Sequence, residues 1–174
     1  MSELETSKVG VNGHECRVWR KGTGSSIGYL AGLAGLPKWP LFADALAKEH
    51  QVIAPSIPGF PGAEGHRELD TTLDWIVAMR ELLNGADLEG PPLVGVSIGA
   101  TLAAEVAAMW PHKVEKLVLV APFGIYDEAE PTESPWAQQG QEFAGLFCNN
   151  ADAYSDFIRR PNDADPVEWP IEMA

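Results

Sequence analysis

The 174-residue chain predicts an α/β fold: a mainly parallel sheet with helices on both faces, opened by an antiparallel hairpin. Three observations carry that prediction. Short apolar runs alternate with segments of helical period, as strands separated by crossover helices do. An Asn12-Gly13 pair stands between alternating runs near the start, a strong hairpin signal. Ser97, in the sequence Gly95-Val96-Ser97-Ile98-Gly99, marks the point where an apolar run gives way to an alanine-rich stretch of helical spacing.

The elements follow in order. Val9, Val11, Cys16, Val18 and Trp19 flank Asn12-Gly13, so residues 9 to 20 predict two antiparallel strands. After the turn-forming KGTGSS, IGYLA at 27 to 31 predicts a third strand ending at Ala31. From Pro37 to Lys48, Leu41, Phe42, Ala45 and Leu46 predict the apolar face of a surface helix, with Asp44 and Lys48 opposite. QVIAP at 51 to 55 predicts a fourth strand, followed by the Pro/Gly-rich loop SIPGFPGAEGH. Thr71 and Asp74 form a capping box for a helix through Leu73, Ile76, Val77 and Leu83, ended at Asn84-Gly85. A short strand then leads to Ser97, and Ile98, Leu102, Val106 and Met109 recur at helical spacing as far as Trp110. VEKLVLVAPF at 114 to 123 predicts a sixth strand, beyond which the pattern loosens into acidic sequence with Pro and Trp. There is no internal repeat or low-complexity tract.

Twelve Lys and Arg against twenty-five Asp and Glu leave a net charge of −13, which argues against nucleic acid and anionic membranes as partners and favours a small-molecule substrate. The start, MSELETSKVG, has no apolar stretch of signal-peptide type, and no run approaches about 18 apolar residues, so the expected compartment is the cytoplasm. Cys16 and Cys148 form neither a CxxC pair nor a Cys/His cluster and read as buried or incidental thiols.

The chemistry centres on Ser97. A serine at a strand-to-helix corner is held in a strained backbone conformation that throws its hydroxyl clear of the sheet. Gly95 and Gly99 allow the strand and helix to approach closely there. The first N–H groups of the new helix, notably that of Ile98, are left without intrahelical partners and can meet a developing oxyanion.

Several landmarks, in this order, resemble the α/β-hydrolase family: the hairpin, the strand ending in AGLAG, the VIAPSIPGFPG loop, the GVSIG elbow and the LVLVAPFG strand, together covering residues 9 to 123. The resemblance implies a serine-nucleophile hydrolase with Ser97 as nucleophile. In the family the loop after the third strand gives the second oxyanion donor, here the N–H of Leu33. The family usually has His-Gly in that loop and Asp before Pro-Gly-Phe; this chain has Ala31 and Ser56 there, changes that leave the backbone donors in place. Residues 1–123 then correspond to the N-terminal part of a hydrolase core, and 124–174 to the beginning of a helical cap, with the chain ending before the family's usual acid and His. The expectation is an incomplete enzyme, apparently truncated after the sixth strand.

Of the four histidines, His14, His50 and His112 fall at or near the sheet edge opposite Ser97, whereas His66 lies on the serine's rim and is a candidate base against the reading of an exposed loop residue. Asp127 occupies a position where some family members keep the acid; an acidic turn in DEAEP is the ordinary explanation. Trp39, Phe60, Phe123, Trp136, Phe143 and Phe147 could line a pocket between core and cap, or simply pack. Gly32 and Gly35 do not make a nucleotide site, because the full GxGxxG is absent and Leu30 takes the first glycine's place. No pattern for a P-loop, HExxH or EF-hand occurs, so neither cofactor nor metal is expected. A serine nucleophile points to acyl transfer, and the expected reaction is esterase-like or C–C bond hydrolysis of a small molecule. The alternative is a non-catalytic binding or interaction protein on a truncated hydrolase scaffold. Its exposed edge at Val118, Leu119 and Val120 would drive self-association or accept a complementing C-terminal segment.

Overall fold

A computed structural model of the chain describes residues 2–131, 133–134, 137–138 and 141–159. Strands β1 (Glu5–Val11) and β2 (His14–Lys21) form the predicted hairpin, and Asn12 and Gly13 carry the two positive φ values, 48° and 81°, that its tight turn requires. Next come β3 (Ser26–Leu30), α1 (Leu41–Leu46), β4 (Gln51–Pro55), α2 (Thr72–Gly85), β5 (Leu93–Val96), α3 (Ile98–Met109) and β6 (Leu117–Val120). Short helices α4 (Gln141–Phe147) and α5 (Ala151–Ile158) follow and pack on each other.

The six strands form one sheet in the order β1-β2-β4-β3-β5-β6. The pairs β1–β2 and β2–β4 are antiparallel, and β3–β4, β3–β5 and β5–β6 are parallel. Alternate residues of one strand supply opposite faces. Val18, Leu30 and Ile53 pack with Ile76, Met79, Leu82, Leu102 and Val106 of α2 and α3. Their neighbours Trp19, Tyr29, Val52 and Ala54 pack on the other face with Leu36 and Ala43. Helices therefore cover both faces, as the alternation of runs predicts.

Expectations change in detail at five elements. Helix α1 starts at Leu41, behind Pro40, and is much shorter than 37 to 48. Its predicted apolar face is turned partly to solvent: Leu41 is 87 % exposed, and Phe42 and Ala45 are exposed. A helix this short buries only what faces the sheet, which here is Ala43, while Phe42 rests edge-on against Tyr29 at 5.1 Å between ring centroids. In α2 the buried positions are Ile76, Ala78, Met79, Leu82 and Leu83; Leu73 and Val77 face solvent, and so does Met109 at the end of α3. β3 ends at Leu30, one residue before Ala31. β6 is shorter than 114 to 123, because Val114 makes only an isolated bridge to Gly90 and Ala121 turns to φ 43° ahead of Pro122.

The topology itself places a crevice. From β3 the chain crosses to β4 on one side and then returns to β5 on the other, so the segments leaving β3 and β5 diverge at adjacent carboxyl ends, the position where open α/β sheets receive ligands. The segment leaving β5 begins with Ser97.

Candidate functional site

Ser97 has φ 51° and ψ −120° and is the residue before the first turn of α3. A non-glycine residue at such angles is strained, and the strain is held by what surrounds it. Its N–H donates to the Val120 carbonyl at 2.9 Å, and its carbonyl accepts from the N–H groups of Ala100, Thr101 and Phe123. The Thr101 hydroxyl donates to the Phe123 carbonyl, which fastens the chain beyond β6 to the same corner.

Close approach explains the glycines. A Cβ at Gly99 would stand 2.4 Å from the Ala31 carbonyl oxygen and 2.7 Å from that of Leu30, and one at Gly95 would stand 2.5 Å from the Ala100 Cα. These are backbone atoms, so no side-chain rotation relieves the clash. A Cβ at Gly32 would stand 3.2 Å from the Ser97 Cβ, so the loop after β3 lies against the serine. In that loop Gly35 N–H donates to the Gly32 carbonyl at 2.8 Å, closing a turn around Leu33 and Ala34. Among the described residues, neither the Leu33 N–H nor the Ile98 N–H is taken by a backbone acceptor. Ser97 is partly exposed.

The other candidates fall elsewhere. His66 lies in a 3-10 turn (His66–Glu68) with its ring packed over Gly59, whose added Cβ would come within 2.8 Å of it. Asp127 is exposed, and its carboxylate accepts the Ala129 N–H at 2.9 Å, the local turn that the acidic stretch suggests. His14 meets Glu68 at 3.0 Å, His50 meets the Ser25 hydroxyl at 3.0 Å, and His112 is exposed beyond α3. Among the described residues no hydrogen bond joins a histidine or Asp127 to Ser97. Nor does any group of three His, Cys, Asp or Glu side chains come together there.

The aromatic candidates separate as well. Trp39 donates to Asp44 and stands edge-on to Trp19, Phe60 packs against the core, and Phe123 is half-exposed. Phe143, in α4, is partly buried; Trp136 and the side chain of Phe147 lie outside the described residues. A cavity of about 550 Å³ opens beside Lys21, Asp44 and Lys48, away from Ser97. Thr101 was not visible as part of the corner from sequence, since one threonine in an alanine-rich helix carries no pattern of its own.

The geometry can be set beside known proteins. Over 107 residues the chain is 30 % identical to 2-hydroxymuconate semialdehyde hydrolase of Pseudomonas sp. (strain CF600), a match covering 60 % of this chain and 38 % of that one. Over 120 residues it is 32 % identical to the dihydrolipoyllysine-residue acetyltransferase component of the acetoin cleaving system of Cupriavidus necator, covering 67 % and 32 %. The matches span between 31 % and 40 % of the length of the curated relatives. Among solved structures, naproxen esterase from Bacillus subtilis superposes with a TM-score of 0.70 at 12 % identity, over 99 % of this chain and 60 % of the esterase, a likeness of fold. A family model for the alpha/beta hydrolase fold matches residues 28–153, most of the chain, and with the sheet order and the Ser97 corner this establishes that the chain belongs to the α/β-hydrolase family.

Proposed function

We propose that this chain carries the nucleophile of a hydrolase of the α/β-hydrolase type, acting on an ester or C–C bond of a small molecule without a cofactor. Ser97 Oγ would attack the substrate carbonyl, and the N–H groups of Leu33 and Ile98 would receive the oxyanion. The observation that supports this most directly is the backbone of Ser97, φ 51° and ψ −120°, at the head of α3 and against Gly32. Strain of that kind persists only where the surroundings impose it, and its use is to present a side chain. The name of the matching Pseudomonas protein, a hydrolase, supports the reaction class.

Attack also requires an acceptor for the hydroxyl proton, because a serine is a weak nucleophile without an adjacent base. In this chain His66 is packed over Gly59 and Asp127 caps its own turn, so neither is assigned that role. The chain is therefore proposed to react slowly, at the level that oxyanion binding alone supports, on the order of 10³-fold over water. The helices after residue 124 are proposed as the start of a cap over the crevice, docked through Lys38, whose ammonium donates to the Asp156 carbonyl. A cytoplasmic setting is part of the same reading; among the described residues no helix is long and apolar enough to cross a membrane.

The test is labelling by a fluorophosphonate with the site mapped by mass. Slow modification at Ser97, lost in Ser97→Ala, with negligible turnover of p-nitrophenyl esters, is the expected result. Modification elsewhere with Ser97 untouched would end the nucleophile reading. It would favour the second one, a binding protein on the same scaffold, to which the lack of a histidine bonded to Ser97 among the described residues already lends weight. Rapid turnover lost in both Ser97→Ala and His66→Ala would show that His66 reaches the serine after all.

A further inference from the structure

Arg17 sits on β2, on the same face as Trp19, and its guanidinium carbon lies 3.6 Å over that ring. Its Nη2 lies within hydrogen-bonding distance of three oxygens from three different places, so that its two N–H groups are shared among them: the Leu36 carbonyl in the loop after β3 at 2.6 Å, the Ser56 hydroxyl just beyond β4 at 3.0 Å, and the Pro61 carbonyl in the Pro/Gly loop at 2.9 Å. Ser56 is 4 % exposed, and the three contacts are partly buried. Gly62 passes directly against the guanidinium, and a Cβ there would stand 2.8 Å from it. The main chain at Arg17 already pairs with the same loop, through the Gly62 carbonyl and the Ser56 N–H. The side chain adds something the main chain lacks, which is a link to the loop after β3.

That loop is the one lying against Ser97. Leu36 is three residues beyond Leu33, and the turn between them is closed by Gly35 N–H on the Gly32 carbonyl. On its far side Gly35 leaves no room against Phe60 and Pro61, where a Cβ would come within 2.8 and 2.9 Å. The loop is thus held between Ser97 on one side and the Pro/Gly loop on the other, with Arg17 joining its end to the second.

We propose that Arg17 is a positioning residue for the Leu33 N–H: by tying the Leu36 carbonyl to Ser56 and Pro61, it sets where that donor stands relative to Ser97. The proposal rests on the reading of Ser97 as nucleophile. A guanidinium suits the task because its planar fork can serve several oxygens at once while its face rests on an aromatic ring, whereas an ammonium offers a single compact charge.

Two measurements on Arg17→Met and Arg17→Lys test it. The first is hydrogen exchange: amides of 31–36 and 56–62 should exchange faster in Arg17→Met, with those of 93–109 unchanged. The second compares two reactions at position 97, phosphonylation of the serine, which needs an oxyanion donor, and iodoacetamide alkylation of Ser97→Cys, which does not. Arg17→Met should slow phosphonylation by about 10-fold to 100-fold, the scale of a small displacement near a reacting group, while alkylation stays the same. Arg17→Lys should fall between, and it carries the test if Arg17→Met fails to fold. Unchanged exchange in 31–36 overturns the proposal, as does an equal slowing of both reactions, which would mean general damage. If the parent chain is not phosphonylated at Ser97, the nucleophile reading and the donor role fall together, while the loop-holding role of Arg17 is decided by exchange alone.

Discussion

Around Ser97 an added methyl group meets backbone within 2.4 to 2.5 Å at Gly99 and Gly95, yet β6, bonded to that corner through the Val120 carbonyl, stands largely in solvent. Val118, Leu119 and Val120 are 52 %, 41 % and 45 % exposed although every residue of the strand is apolar. The opposite edge of the sheet differs again. β1 carries Glu5, Thr6, Ser7 and Lys8 on its exposed length, with Lys8 paired to Glu15, as an edge meant to face water does. β1 is an edge by composition, whereas β6 has the composition of an interior strand and the surroundings of an edge. The difference teaches that the corner does not draw its geometry from burial of β6. It is set by β3, β5 and α3 pressing on one another.

Truncation in the sheet centre should therefore cost far more than truncation in β6. Leu93, fully buried in β5, should lose about 2 to 5 kcal/mol as Leu93→Ala. Leu119→Ala should lose less than about 1 kcal/mol. Denaturant unfolding reads both, and comparable losses would break the contrast.

Next in size is the glycine contrast. Gly99→Ala should destabilise by about 1 to 3 kcal/mol and abolish Ser97 labelling, since its Cβ has only backbone to push against. Gly145→Ala, in α4 with nothing within 4 Å, should be neutral or stabilise by up to about 1 kcal/mol. If Gly99→Ala keeps both stability and labelling, the corner is not as tightly built as these distances require.

We propose that β6 also governs association, because an apolar strand whose outer edge pairs with no strand among the described residues invites another chain, either a second copy or a complementing segment. Sedimentation of the parent chain should show concentration-dependent dimers or larger species, reduced in the double variant Val118→Lys, Val120→Lys. A compact monomer at high concentration with slow amide exchange along Lys116 to Val120 would remove this proposal.

The smallest effect is chemical. Burial pushes the Cys16 thiol up to about 11 from its ordinary 9.0 and the Tyr29 hydroxyl up to about 12 from 10.0. In the folded state both groups keep their protons where the unfolded chain has lost them. They leave stability unchanged near neutral pH and lower it as pH rises past 9 for Cys16 and past 10 for Tyr29. Against a disulfide reagent at pH 8, Cys148, partly exposed, should react first and Cys16 only on unfolding. Equal reactivity of the two in the native state would place Cys16 outside the closed region.

What the sequence determined by itself is what depends on near neighbours. Asn12-Gly13 specifies its turn, because positive φ at both positions is a local property. Thr71 and Asp74 cap α2 with both reciprocal hydrogen bonds, three residues apart. Gly95 and Gly99 around Ser97 announce the corner for the same reason, since strand, turn and helix are contiguous. Tertiary structure decided the rest. The true inward face of α1 depends on where Pro40 lets it start and what the sheet leaves open, which no periodicity within six residues can report. His66 and Asp127 share a rim with Ser97 in any diagram of the topology, but a side chain reaches only as far as its loop is folded, and these loops turn the two groups to other contacts. Arg17 reads in sequence as a charged residue in a strand. Its bonds run to Leu36, Ser56 and Pro61, and only the order of strands β2, β4 and β3 brings those three to one guanidinium.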